Sequence, residues 1–278
     1  MQRNVFKKST TLLLAGAFFL AVSPFGIRHA PTKARAEDSA TETLAPGNPY
    51  GWDKLSSYTT YYSTEEKGRA ENISIAASLV DGVTIQPYGE FSFNGTVGQR
   101  TEETGFKQAK IIVNGEYVQG VGGGVCQVST TLYNAALKSG LTVTEYHPHS
   151  LRVAYVAPSR DAMVSTHSDL KIFNPKSAAV YLSATVWEGG VRITFYGKNE
   201  GDRYEITSNL LEEISPPEPI VKDGERDEIL RAPKNGAKSE AYLERYRGEN
   251  LLSRERIRKD EYRPIQGIIV KKVVLPTN

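Results

Sequence analysis

Three consecutive glycines, Gly122-Gly123-Gly124, then Val125 and the only cysteine, Cys126, lead into helix-forming residues that last to about Ser139. A thiol in the first turn of a helix lies near the positive end of the dipole and near backbone N–H groups without helical partners. Both favour the thiolate, and such sites lower a cysteine pKa from about 8.5 to about 3.5–7.5. The glycines let a substrate backbone approach without meeting a Cβ, and the N–H groups suit a developing oxyanion. Residues of these types in this order fit nucleophilic acyl transfer. They also fit a structural account, in which Cys126 is a small core residue and the glycines only make a tight turn.

A nucleophilic cysteine needs a base, and His147, His149 and His167 are the candidates near or beyond the helix. His147 and His149 lie two residues apart, which puts both on one side of an extended strand, although Pro148 stands between them. Asp161 or Asp169 can orient the imidazole, completing the order of nucleophile, base and orienting group; either suits a turn equally well. Ser129 and Thr130 follow Cys126 by three and four residues on its helix face. With Gln127 and Gly122–Gly124 they are candidate substrate contacts, the alternative being hydroxyls that bond back to the helix. Cys126 and the histidines match no compact zinc-ligand spacing, so neither a metal nor another cofactor is expected.

The elements that must position these residues are legible from pattern. Leu55–Tyr62 is β-branched and aromatic enough for a strand. Ser63 and Glu66 have capping-box spacing before a helix to about Val80, with Ile73, Ala76, Ala77 and Val80 on one face. Asn114-Gly115 suits the turn of a hairpin over 110–118, and Gly189-Gly190 joins Ala179–Trp187 to Val191–Gly197 in a second. Gly140 ends the intervening cysteine helix. Beyond Glu200 charge rises, Pro216, Pro217 and Pro219 mark a linker, and 241–246 and 265–274 are strand-like. The expected fold is α+β, the cysteine helix packed on an antiparallel sheet, followed by a small β-rich C-terminal module.

Arg3, Lys7 and Lys8 precede the apolar run Thr10–Val22, and Ala34-Arg35-Ala36 supplies an A-x-A cleavage site, which together read as a secretory signal. The run falls short of the roughly 20 residues of a bilayer span; a retained anchor is the alternative. Without residues 1–36 the chain carries 28 basic against 32 acidic residues, so no nucleic-acid partner is expected. A single cysteine in an exported chain is a candidate reactive thiol. The expected organisation is a signal at 1–36, a flexible lead-in at 37–54, a main domain at 55–200 and the β-rich module at 205–278.

The main domain resembles the VanW family. The resemblance rests on Arg69 and Asn72, Pro87, Gly89-Glu90-Phe91-Ser92-Phe93-Asn94, Gly98, Gly105-Phe106 and the block Gly122 to Ala135. It continues through His149-Ser150, Tyr155-Val156, Asp161-Ala162, Asp169-Leu170 and Asn174. Tyr146 stands where the family usually has Arg, and Met163 where it usually has Thr. The resemblance implies an L,D-transpeptidase activity on peptidoglycan stem peptides, with Cys126 as nucleophile and His149 as base. From Tyr204 onward the chain more faintly resembles the G-five type of β-module, which implies retention at the cell wall on the outer face of the envelope. The competing reading is a non-catalytic wall-binding protein with Cys126 in its core.

Overall fold

The β-branched and aromatic run near residue 55 forms β1 (Asp53–Tyr61), the first strand of a computed structural model that describes residue 48, residues 50–113 and residues 115–272. The secretory signal and most of the lead-in lie outside the described residues, as does Asn114 of the first hairpin turn. Among the described residues, no helix is long and apolar enough to cross a membrane.

After β1 come α1 (Lys67–Val80), β2 (Thr84–Ile85), β3 (Glu90–Ser92), α2 (Phe93–Val97), β4 (Gln108–Val113) and β5 (Glu116–Val121). The cysteine helix α3 (Val125–Lys138) precedes β6 (Thr142–Glu145), β7 (Lys171–Phe173), β8 (Val180–Trp187) and β9 (Gly190–Gly197). The chain then continues as β10 (Asp202–Ile214), β11 (Ile220–Gly224), β12 (Glu228–Arg231), β13 (Gly236–Arg247), β14 (Asn250–Tyr262) and β15 (Ile268–Lys272).

Both expected hairpins form. β4 pairs with β5, and β8 pairs with β9 across Gly189, whose φ of 82° suits the turn. The start of α1 differs from the capping box. The helix begins at Lys67 with Glu66 at its N-cap and no side-chain cap, while the Ser63 hydroxyl accepts from Glu65 N–H. The Glu66 carboxylate is drawn instead to Lys110 Nζ at 3.1 Å, so the reciprocal bond that defines the box is absent.

The strand order β1-β9-β8-β2 makes an antiparallel sheet, and α1 and α3 lie against it. Ile73, Ala76, Ala77 and Val80 of α1 and Val128, Leu132, Ala135 and Ala136 of α3 are buried with Leu182, Ile193 and Phe195 of the sheet. Thr60 and Thr131 hydroxyls pair at 2.8 Å, and Ser56 Oγ donates to Ala135 O, also at 2.8 Å. These bonds satisfy the polar groups that the α3–β1 contact would otherwise bury unpaired.

The α+β expectation is corrected. Strands hold 46% of the structure and helices 15%, so the fold is mainly β. The helix-on-sheet layer is one part of an arrangement that also contains β3-β7-β6, the β4-β5 hairpin, β10-β13-β14 and β11-β15-β12. The C-terminal strands lack the apolar alternation that marks a half-buried strand, because much of their cross-strand contact is ionic. Arg254 meets Glu244 at 3.0 Å and Lys238 meets Glu212 at 2.8 Å. The proline cluster at 216–219 falls between β10 and β11, and the described residues share one contact unit, Leu44–Asn278.

Candidate active site

Cys126 stands in the first turn of α3, and two side chains of α1 hold the glycine turn that presents it. Asn72 Nδ2 donates to Gly123 O at 3.0 Å, and Arg69 donates to Gln127 Oε1 at 2.7 Å. The glycines are required by close packing of the turn. Gly122 and Gly124 have φ of 86° and 109°, where side chains are strained. A Cβ on Gly123 would lie 2.6 Å from Lys110 O of β4. Gly123→Ala is therefore expected to destabilise the protein by about 1–3 kcal/mol through overpacking, read as a fall in melting temperature; an unchanged value would show that the turn has slack.

The half-buried Cys126 thiol faces a groove of about 1130 Å³. Arg69, Arg100, His149, Tyr155 and Gly122–Gly124 contribute to its lining. His149 is 5% exposed and lines the same groove, where it and Cys126 each shift the other's ionisation. Its Nδ1 pairs with Asp161 Oδ2 at 2.7 Å, and its backbone N–H donates to the same oxygen at 2.7 Å. With Nδ1 held in this way, Nε2 is the ring nitrogen left for the thiol. Cys126, His149 and Asp161 thus form one connected set.

Burial opposes ionisation of Cys126. The His149 hydrogen bond and charge, the Val164 N–H and the Arg100 charge outweigh it and bring the thiol below its ordinary pKa. Burial also opposes a charged His149, but the bonds to Asp161 and Cys126 push it up to about 9. Both shifts favour a thiolate–imidazolium pair at neutral pH. Asp161 stays a carboxylate against the cost of its burial, because His149 and Arg258 compensate its charge.

Asp169 belongs to a different construction. It accepts from Ser92 Oγ at 2.6 Å and Asn94 N–H at 2.8 Å, while Asn94 Oδ1 accepts from Arg100 at 2.8 Å. Asp169 therefore shapes the loop that presents Arg100, and Asp161 is the acid in contact with His149. His147 pairs with Glu145 at 3.0 Å, and His167 donates its backbone N–H to Ser165 Oγ.

The candidate substrate contacts separate. Gln127 lines the groove, but its amide is committed to Arg69, Thr60 Oγ1 and Tyr61 O. Ser129 Oγ donates to Ala162 O at 2.6 Å, and Thr130 Oγ1 accepts from Ala162 N–H at 2.9 Å. Both hydroxyls are buried and fasten the Asp161 loop to α3. The polar atoms of Gln127, Ser129 and Thr130 are thus all bonded within the fold, with Gln127 at the groove wall. The helix N–H groups are also partly committed, since Val125 donates to Gly122 O and Gln127 to Gly124 O.

Sequence pattern missed Arg100, Tyr155, Arg258 and Tyr262. Burial draws Arg100 below its usual pKa, while the Cys126 and Asp169 charges pull it back up. Arg69 lies 5.9 Å from the centre of the Tyr155 ring. Arg258 and Tyr262 reach Asp161 from β14, about a hundred residues along the chain. Among the described residues, no three His, Cys, Asp or Glu side chains converge as metal ligands.

The structure thus sets a helix-borne cysteine beside a histidine–aspartate pair at the wall of an open groove. Residues 68–196 match the family described as VanW like protein. The chain is 41% identical over 171 residues to the uncharacterized protein YoaR of Bacillus subtilis (strain 168), covering 61% of this chain and 55% of that protein. It is 25% identical over 128 residues to the vancomycin B-type resistance protein VanW of Enterococcus faecalis (strain ATCC 700802 / V583), covering 44% and 46%. The chain spans about half the length of these relatives. Among solved structures, the crystal structure of HP0197-G5 aligns with 25% of this chain and 97% of its own, at 13% identity and a TM-score of 0.14.

Proposed function

We propose that this protein is a cysteine-dependent acyl transferase of peptidoglycan stem peptides, acting as an L,D-transpeptidase on the outer face of the cell envelope. The observation that carries the proposal is the Cys126–His149–Asp161 set, with its 2.7 Å histidine–carboxylate bond, at the wall of the groove. The choice of substrate follows the activity implied by the VanW resemblance. A secretory reading of residues 1–36 and a relative named for vancomycin resistance favour the same compartment. The C-terminal strands, G-five-like in sequence, would keep the protein at the wall.

In this reading Cys126 Sγ attacks the carbonyl carbon of the L,D peptide bond in a tetrapeptide stem. The C–N bond to the terminal D-alanine breaks, His149 gives its proton to the departing amine, and a thioester remains on Sγ. The side-chain amine of a second stem then attacks the thioester. His149 takes the amine proton as the thiolate leaves, which restores the ion pair and yields a 3-3 cross-link; water in place of the amine gives hydrolysis. Arg100 and Arg69 hydrogen-bond to neutral side chains, Asn94 and Gln127. Their guanidinium groups suit the carboxylates of a stem peptide.

The test is incubation of the mature protein with tetrapeptide-bearing muropeptides, followed by mass analysis. Free D-alanine with 3-3 dimers, or with tripeptide products, is expected. Intact substrate beside a bound, unaltered protein would favour the non-catalytic wall-binding reading.

The pH profile follows from the ion pair. The rate is expected to rise on the acid side as Cys126 ionises below an ordinary thiol pKa. It is expected to fall again above about 9, where His149 loses the proton that the leaving amine needs. Measurement of kcat/KM from about pH 4 to about pH 10 checks both limbs; a single rise near about 8.5, where a free thiol titrates, would contradict the pairing.

A further inference from the structure

The segment that carries His149 and Asp161 is tied to the C-terminal strands along much of its length. Ser208 of β10 donates to Pro158 O, Ser239 of β13 pairs with Ser159 Oγ at 2.8 Å, and Arg263 N–H donates to Ser150 O at 2.8 Å. Ser159 holds a φ of 60°, a conformation that a residue other than glycine keeps only where its surroundings impose it. Its N–H donates to Tyr262 Oη at 2.7 Å.

Two residues of β14 reach the acid itself. Tyr262 Oη donates to Asp161 Oδ1, while Arg258 bonds to Asp161 O and lies 3.4 Å from Oδ1. Asp161 therefore presents Oδ2 to His149 and Oδ1 to β14. Arg258 is 3% exposed. It pairs with Asp260 at 2.9 Å and lies over the rings of Tyr146 and Tyr133, at 4.6 and 5.5 Å.

We infer that Arg258 and Tyr262 are positioning residues for the thiol centre, and that the Cys126–His149–Asp161 set is complete only with β14 docked on the loop that bears His149 and Asp161. The C-terminal strands are then part of the site, although they lie outside the 68–196 segment that matches the VanW-like domain.

The inference rests on the functional reading only as far as an ionised Cys126. The charged and titratable groups facing the set are Arg100 and Tyr155 at the thiol, Arg69 beside Tyr155, and Arg258 and Tyr262 at Asp161. Asp260, Tyr133 and Tyr146 lie behind Arg258. The Cys126 thiolate and the Asp161 and Asp260 carboxylates stand against the His149 imidazolium and the Arg258 and Arg100 guanidinium groups. Without Arg258 that set carries a net negative charge, which raises its affinity for a proton. The proton is taken up by the coupled set, and the thiolate fraction falls.

The experiment is alkylation of the full-length protein with iodoacetamide across a pH range, in which the thiolate displaces iodide and intact mass gives the rate. Arg258→Gln is expected to move the acid-side midpoint up by about one pH unit, lowering the rate roughly tenfold at pH values below both midpoints. Arg258→Lys, which keeps the charge, is expected to recover most of that loss. Arg254→Gln, at a β13–β14 ion pair away from Asp161, is expected to leave the midpoint in place. A lowered melting temperature with an unmoved midpoint in Arg258→Gln, or a lysine variant as impaired as the glutamine one, would overturn the inference. Should Arg258→Gln not fold, Tyr262→Phe decides: it removes only the hydroxyl, and a rate below the acid-side midpoint reduced about threefold supports the inference, whereas an unchanged rate there overturns it. Iodoacetamide requires no peptide, so failure to act on peptidoglycan would leave this result standing, and the reverse also holds.

Discussion

Cys126→Ser is expected to reduce acyl transfer by at least about 10³ while leaving stability within about 1 kcal/mol. The two side chains are close in volume, and a hydroxyl can keep the Val164 contacts that the thiol makes. What serine cannot supply is the anion. Its hydroxyl does not ionise beside His149, so the attack would require proton removal at the moment of reaction. Turnover on a tetrapeptide stem and thermal melting, measured on the same preparation, separate the roles. Full activity would eliminate the nucleophile. A large loss of stability with little catalytic effect would make Cys126 a packing residue.

Asp161→Asn is expected to be nearly as damaging to the chemistry and much more damaging to the fold. Asparagine leaves His149 without its anionic partner, so the imidazolium and with it the thiolate become less favourable. The expected loss is about 10²–10⁴ in kcat/KM, the range that general acid–base catalysis supplies. The same change strips Arg258 of one of its buried counter-charges, and breaking such a pair costs about 3–5 kcal/mol. Asp169→Asn is the informative comparison. That acid accepts from Ser92 and Asn94 near Arg100, so its replacement is expected to leave the His149 limb of the pH profile in place. If Asp169→Asn abolished that limb while Asp161→Asn did not, the assignment of the orienting acid would be reversed.

Local pattern carried the cysteine helix, the buried face of α1 and both hairpins, because each follows from spacing within a few residues. The pairing of Cys126 with His149 was accessible through family resemblance; histidine spacing alone left His147 and His167 open. The choice between Asp161 and Asp169 was not legible. It depends on Tyr262 and Arg258 at one acid and on Ser92 and Asn94 at the other, all far away in the chain. Helical periodicity places Ser129 and Thr130 on the face of Cys126 but does not reveal that Ala162 bonds to both hydroxyls there. The fold class was misjudged for an electrostatic reason. β13 and β14 are held by paired arginines and glutamates in place of alternating apolar residues, so pattern shows only 241–246 of this stretch as strand and understates the extent of the C-terminal sheet. Arg258 looked like one more member of that charge-rich run, although it is buried.

The most direct measurement is the intact mass of the protein during turnover of a tetrapeptide-bearing muropeptide, with the adduct mapped by proteolysis. The expected result is a transient increase equal to the stem acyl group less D-alanine, located on Cys126 and discharged when an amine acceptor is added. Release of D-alanine with no mass on Cys126, or a stable unmodified protein throughout, would contradict the account.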